Sequence, residues 1–253
     1  MPTSADERAP SPPSSAVAGL ALAAALSPVL VDLVRHAAAN AFATPCLFFA
    51  VALVVAAARA RREPPRAPAL GLALAGVAGV AGALLAAADW PRFGRLALPL
   101  GVLGLAFRTG RPTPRAAVLA IWLVPLPHFV AALPSPVLER TWLSFADALV
   151  APRGATSIRL VAEDAGLALA WWLAGAGYAR ALAVGAKPAH ALRLCLGGAI
   201  AAFPFQLAAV AAALAIAASP RGGAVAAQTW LHVVVPIAVP ALALVAAPLR
   251  PRR

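Results

Sequence analysis

Four polar side chains interrupt long apolar runs in this chain, and their types could do chemistry. Glu163 and Asp164 sit side by side at the start of one run, Gln206 lies within the next, and His232 lies within the last. A carboxylate beside an imidazole is the minimum equipment for general acid/base work. Two further histidines, His36 and His128, stand at the ends of earlier runs. Glu163, Asp164, His232 and His128 together also make a donor set of the kind that binds a metal. There is no His-Glu-x-x-His pairing to support one, so no metal and no cofactor is assigned. Each residue also has a plainer reading. Acids at a helix start complement the dipole, a glutamine can bond one helix to another, and histidines anchor helix ends. Cys46 and Cys195 lie inside apolar runs, offer no disulfide framework and read as small apolar filler.

The segments that carry these residues read as membrane helices. Of 253 residues, 62% are apolar, against roughly 45–50% in a soluble domain, and mean hydropathy is +0.84. The apolar residues come in blocks, not stripes, as spanning helices require. Eight spans are expected: Ala16–Val34, Ala39–Ala58, Ala67–Ala88, Phe93–Phe107, Ala116–Leu133, Leu160–Ala179, Ala191–Ala217 and Ala224–Ala247. The fold class is therefore an all-α polytopic bundle of about eight transmembrane helices. Residues 1–15 are polar and proline-rich and read as a disordered tail without the basic start of a signal peptide. Residues 16–248 form a single membrane domain, and residues 249–253 a basic tail.

Charge sets the orientation. With the N-terminus inside, 14 of the 21 basic residues but only three acids fall in inside segments, and seven basic residues and six acids fall outside. That is the asymmetry of the positive-inside rule. It places both ends on the cytoplasmic side, and the Ala/Arg/Pro-rich composition points to a bacterial inner membrane. The formal charge of +12 then reports topology, and a nucleic-acid partner is excluded because no basic cluster interleaved with aromatics stands on a water-exposed fold. Glu163, Asp164, Gln206 and His232 all come out toward the external face.

Between spans five and six, Pro134 to Arg159 is less apolar. Leu138, Trp142, Phe145 and Leu149 share one side of a helix, with Glu139, Arg140, Ser144 and Asp147 elsewhere around it. This suits an interfacial helix on the outer surface, either packed on the bundle or roofing a polar site.

The order of these features resembles the exosortase/archaeosortase family of transmembrane sorting enzymes, most clearly over residues 124–247. Four places carry the resemblance: Asn40-Ala-Phe-Ala-Thr-Pro45 with Arg59-Ala-Arg-Arg62 behind it; Val124-Pro-Leu-Pro-His128; Leu160-Val-Ala-Glu-Asp-Ala-Gly-Leu167, similar to the family's Val-x-Glu-x-Cys-Ser-Gly-Leu signature; and His232 at the start of the last span. The resemblance implies a Cys, Arg and His site on the outer face. Its substrates would be proteins with a C-terminal tag made of a small motif, a transmembrane helix and a basic end.

This chain departs from that site. Aligned on Gly166 and Leu167, Asp164 stands at the cysteine position; aligned on Glu163, Ala165 does. Gln206, 42 residues after Asp164, stands where the family has arginine, and His232 follows 26 residues later. The resemblance implies acyl transfer through sulfur with an activated thiolate and an arginine for the oxyanion, and neither alignment supplies them. The expectation is an exosortase-like protein that binds or presents tagged substrates without cutting them, with Glu163, Gly166 and His128 helping to hold the substrate and Asp164, Gln206 and His232 at the family's catalytic positions. Its partners would be the lipid bilayer, tagged substrates and a separate active sorting protease. The alternatives are an intramembrane protease or transpeptidase using Asp164 and His232, and a transporter or membrane scaffold.

Overall fold

The computed structural model describes residues 15–59, 64–127, 130, 137, 140–142, 144, 158, 166–219 and 223–246. Every regular element among them is helical: α1 Ser15–Ala25, α2 Ser27–Ala39, α3 Pro45–Arg59, α4 Pro68–Ala87, α5 Pro91–Gly94, α6 Ala97–Thr109, α7 Pro114–Leu123, α8 Leu167–Ala183, α9 Pro188–Ala218 and α10 Ala224–Ala246. Proline sets many of the starts. Pro28, Pro45, Pro68, Pro91, Pro114 and Pro188 each occupy the first or second helical position, where the missing N–H would have had no partner. That use accounts for a proline-rich chain that remains helical.

α4, α9 and α10 are long and apolar enough to cross a membrane, and α1 with α2 adds a fourth such segment if a pair bent by 65° counts as one span. α3 and α7 are apolar but shorter; at 1.5 Å per residue, the 15 residues of α3 reach about 22 Å against a hydrocarbon core of about 30 Å. In the second expected span the helix, α3, begins at Pro45 and not at Ala39, because Asn40–Thr44 forms a turn: Asn40 Oδ1 accepts from Phe42 N–H at 2.9 Å, and Thr44 Oγ1 donates to the Ala37 carbonyl at 2.8 Å. Only 22% of the apolar stretch of α4 is buried within the protein, and Leu72, Val77, Val80 and Leu84 face outward from it. An apolar surface of that extent belongs in lipid.

Small residues let the helices meet. α8 and α9 approach so closely that a β-carbon on Gly177 would collide with the Leu194 carbonyl, and one on Gly198 with the Leu173 carbonyl. α4 and α6 repeat the device, since a β-carbon on Gly71 would lie 2.6 Å from the Gly104 carbonyl oxygen. Without a hydrophobic force between helices in lipid, such backbone-to-backbone packing is what holds them. Between the two pairs runs an aromatic core: Phe49 stacks on Trp172 at 5.7 Å and on Trp122 at 6.1 Å. Trp122 Nε1 donates to the Trp171 carbonyl at 2.8 Å and Trp171 Nε1 to the Val124 carbonyl at 3.1 Å, so both indole donors are satisfied inside the apolar core. An ion pair clamps α2 to the strand-free link before α6: Arg95 Nη2 lies 2.6 Å and Nε 2.8 Å from Asp32 Oδ2, with Arg95 nearly enclosed.

Candidate functional site

The site begins where α8 begins. Gly166 adopts φ +91°, a left-handed conformation that glycine takes without a steric penalty. A β-carbon there would lie 3.6 Å from both Cβ and Cγ of Gln206 and 3.7 Å from Phe203 Cδ1. Gln206 is 4% exposed, and among the described residues its amide has no hydrogen-bond partner. A buried amide in an apolar setting costs about 1–3 kcal/mol when it is left unpaired. Gln206 lies 13 residues before Ser219 at the end of α9, about 20 Å along the axis. The α9–α10 hairpin therefore extends well past the Gly166 level.

His232 lies at the centre of a π-helical stretch, Trp230–Val234, within α10. The cause is legible in the chemistry. Pro236 has no N–H to give back to the preceding turn, and the Val235 N–H bonds the Trp230 carbonyl. Leu231, which is enclosed, thereby loses the donor its carbonyl would have had in a regular α-helix. Single π turns of this kind widen a helix and re-aim its side chains. The His232 ring comes to lie 6.3 Å from the ring of Phe42, tilted at 49°. Phe42 in turn is tied down, because Trp172 Nε1 donates to its carbonyl at 2.9 Å. α10 packs on α9 through Leu231 and Val235 against Val210 and Ala213.

The six candidate residues thus divide. The structure brings Gly166 and Gln206 into contact, and sets His232 on the neighbouring helix against the Asn40–Thr44 turn. Glu163, Asp164 and His128 lie outside the described residues, as does most of the 134–159 tract. Within that tract Val137, Arg140, Thr141, Trp142 and Ser144 are helical. Trp142 is buried with its ring 6.2 Å from Phe203, one turn from Gln206.

Sequence reasoning passed over Phe42, Trp172 and Phe203, which shape this end of the bundle. Phe42 and Phe203 carry no polar flag. The Trp171-Trp172 doublet in an alanine-rich helix was the one signal to follow. Cys46 occupies the first turn of α3, four residues after Phe42, and its side chain is wholly enclosed. Cys195 lies on α9 11 residues before Gln206, about 16 Å away along the axis. Among the described residues no three His, Cys, Asp or Glu side chains gather as metal ligands would.

No protein-family model matches the chain, and the curated proteins and solved structures yield no match either.

Proposed function

We propose that this protein is a membrane receiver for the C-terminal tag of other proteins, of the exosortase/archaeosortase type in its architecture, which binds and presents its substrates without cleaving them. The observation that carries this reading is the amide of Gln206, buried at the left-handed turn of Gly166 and without a hydrogen-bond partner among the described residues. An amide can donate to and accept from the backbone of an incoming extended segment, and it offers only neutral hydrogen bonds where the family has a guanidinium. Asp164 at the family's cysteine position offers no thiol, and the enclosed Cys46 supplies none that a substrate could reach. His232, re-aimed by the π turn, would then contact the tag and do no acid/base work.

The eight-crossing topology with both ends in the cytoplasm of a bacterial inner membrane belongs to the same proposal. It is supported by the charge asymmetry and by apolar helices that overlap the eight runs, of which α4, α9 and α10 are long enough to cross a membrane and α1 with α2 adds a fourth as a bent pair. The partner in this scheme is a separate sorting protease that cuts what this protein holds. Asp164 and His232 working as an acid/base pair remain the enzymatic alternative.

The test is a purified, reconstituted protein presented with a reporter that ends in a small motif, an apolar helix and a basic tail. Retention of intact reporter is the expected result. Cleavage that disappears in both Asp164→Ala and His232→Ala would establish the enzymatic alternative instead.

A transporter is favoured by one observation, the 65° break between α1 and α2, since broken helices line many transport pathways. Solute flux into proteoliposomes, abolished by straightening the break with Pro28→Ala, would support that reading over tag binding.

A further inference from the structure

Away from Gln206, at the opposite ends of α8 and α9, the protein holds a groove of about 520 Å³, open along one side. Its walls are apolar: Leu103 and Phe107 from α6, Val118 from α7, the Tyr178 ring from α8, and Leu192 and Cys195 from α9. Its mouth is cationic. The Arg115 guanidinium donates to the Ala186 carbonyl at 2.6 Å, and Tyr178 Oη donates to the Arg115 carbonyl at 2.8 Å. Arg115 is thereby fixed at the rim by one of its five donors, and the side chain stays exposed. Lys187 sits between two lining residues, Ala186 and Pro188, and starts α9 with no side-chain cap. The positive end of a 31-residue helix therefore opens at the same rim.

The surrounding turns strengthen the field. Residues 108–115 and 180–193 hold Arg108, Arg111, Arg115, Arg180, Lys187 and Arg193 and not one acid. An apolar slot beside a fixed guanidinium, at a helix end in a membrane protein, has the chemistry of a bound phospholipid: chain in the slot, phosphate on the cations. A zwitterionic headgroup would bring its own cation into this field and be disfavoured.

We propose that the groove between α6, α7, α8 and α9 binds one acyl chain of an anionic glycerophospholipid, with its phosphate on Arg115 and Lys187. This site is separate from Gln206 and stands whether or not tag binding does.

Native mass spectrometry of the full chain in detergent tests it, with phosphatidylglycerol and phosphatidylcholine of matched chains as probes. Phosphatidylglycerol is expected to be retained on the order of 30-fold more tightly, the contribution of two near-surface cations, and Arg115→Gln with Lys187→Gln to abolish the preference. Equal retention of the two lipids, or a preference that survives the double substitution, overturns the proposal. A second variant guards against misfolding: Leu192→Trp, at an exposed position on the groove wall, is expected to plug the slot and release phosphatidylglycerol at unchanged thermal stability. Unchanged retention in that variant also overturns it. Glycerol phosphate is expected not to displace the lipid; displacement by it would place the affinity in the headgroup alone and overturn the seating of the chain.

Discussion

Gly166 and Gln206 meet across the α8–α9 seam, with the glycine in a left-handed turn and space for a β-carbon only 3.6 Å from the glutamine's aliphatic stem. The contact unites two residues 40 positions apart and holds an amide in an apolar interior. Among the described residues that amide has no hydrogen-bond partner.

Replacing that amide should therefore separate folding from binding. Gln206→Leu is expected to leave thermal stability unchanged or raise it, by up to about 1–3 kcal/mol, while retention of a tagged reporter is lost. A fall in melting temperature would instead show that Gln206 is helix–helix glue.

Gly166→Ala asks a simpler question. The neighbouring side chains leave ordinary contact distances, so the expected cost of about 1–2 kcal/mol comes from the backbone conformation alone. Thermal unfolding in detergent measures it, and Gly166→Asn should cost less, since asparagine tolerates this region.

The α8–α9 seam provides a matched pair of neighbours. Gly198→Ala places a methyl group against the Leu173 carbonyl and should cost about 1–3 kcal/mol. Gly197→Ala meets open space and should stabilise the helix by about 0.5–1 kcal/mol. Equal effects at both positions would contradict the close approach.

The Asp32–Arg95 pair should behave as an enclosed ion pair. Asp32→Asn strands a guanidinium that is 5% exposed and is expected to destabilise by about 3–5 kcal/mol. Asp32→Leu with Arg95→Met should restore most of that loss in the same unfolding assay.

Much of the architecture was legible because apolar blocks and prolines are local signals. The described elements are all helical and proline marks where most of them start, but only α4, α9 and α10, with α1 and α2 as a bent pair, are long and apolar enough to cross a membrane. The exact lengths were not legible, because they depend on turns such as Asn40–Thr44, whose hydrogen bonds form only once Asn40 and Thr44 have folded back on the chain. Gln206 and His232 could be singled out, since a polar residue in an apolar run is conspicuous. Their surroundings could not: Phe42 and Phe203 look like any other apolar residue until tertiary packing brings one to His232 and the other to Gly166. The π turn was readable in principle from Pro236, four residues after His232, but a proline in a membrane helix predicts a disturbance and not its form.

Site-specific crosslinking from Phe203 tests tag binding most directly. With a photoreactive phenylalanine at that position, a reporter carrying a C-terminal apolar helix and basic end should crosslink intact, and Gln206→Leu should abolish the adduct. A reporter that fails to crosslink, or that is recovered cut in a manner dependent on Asp164 and His232, would contradict the account of a receiver without a blade.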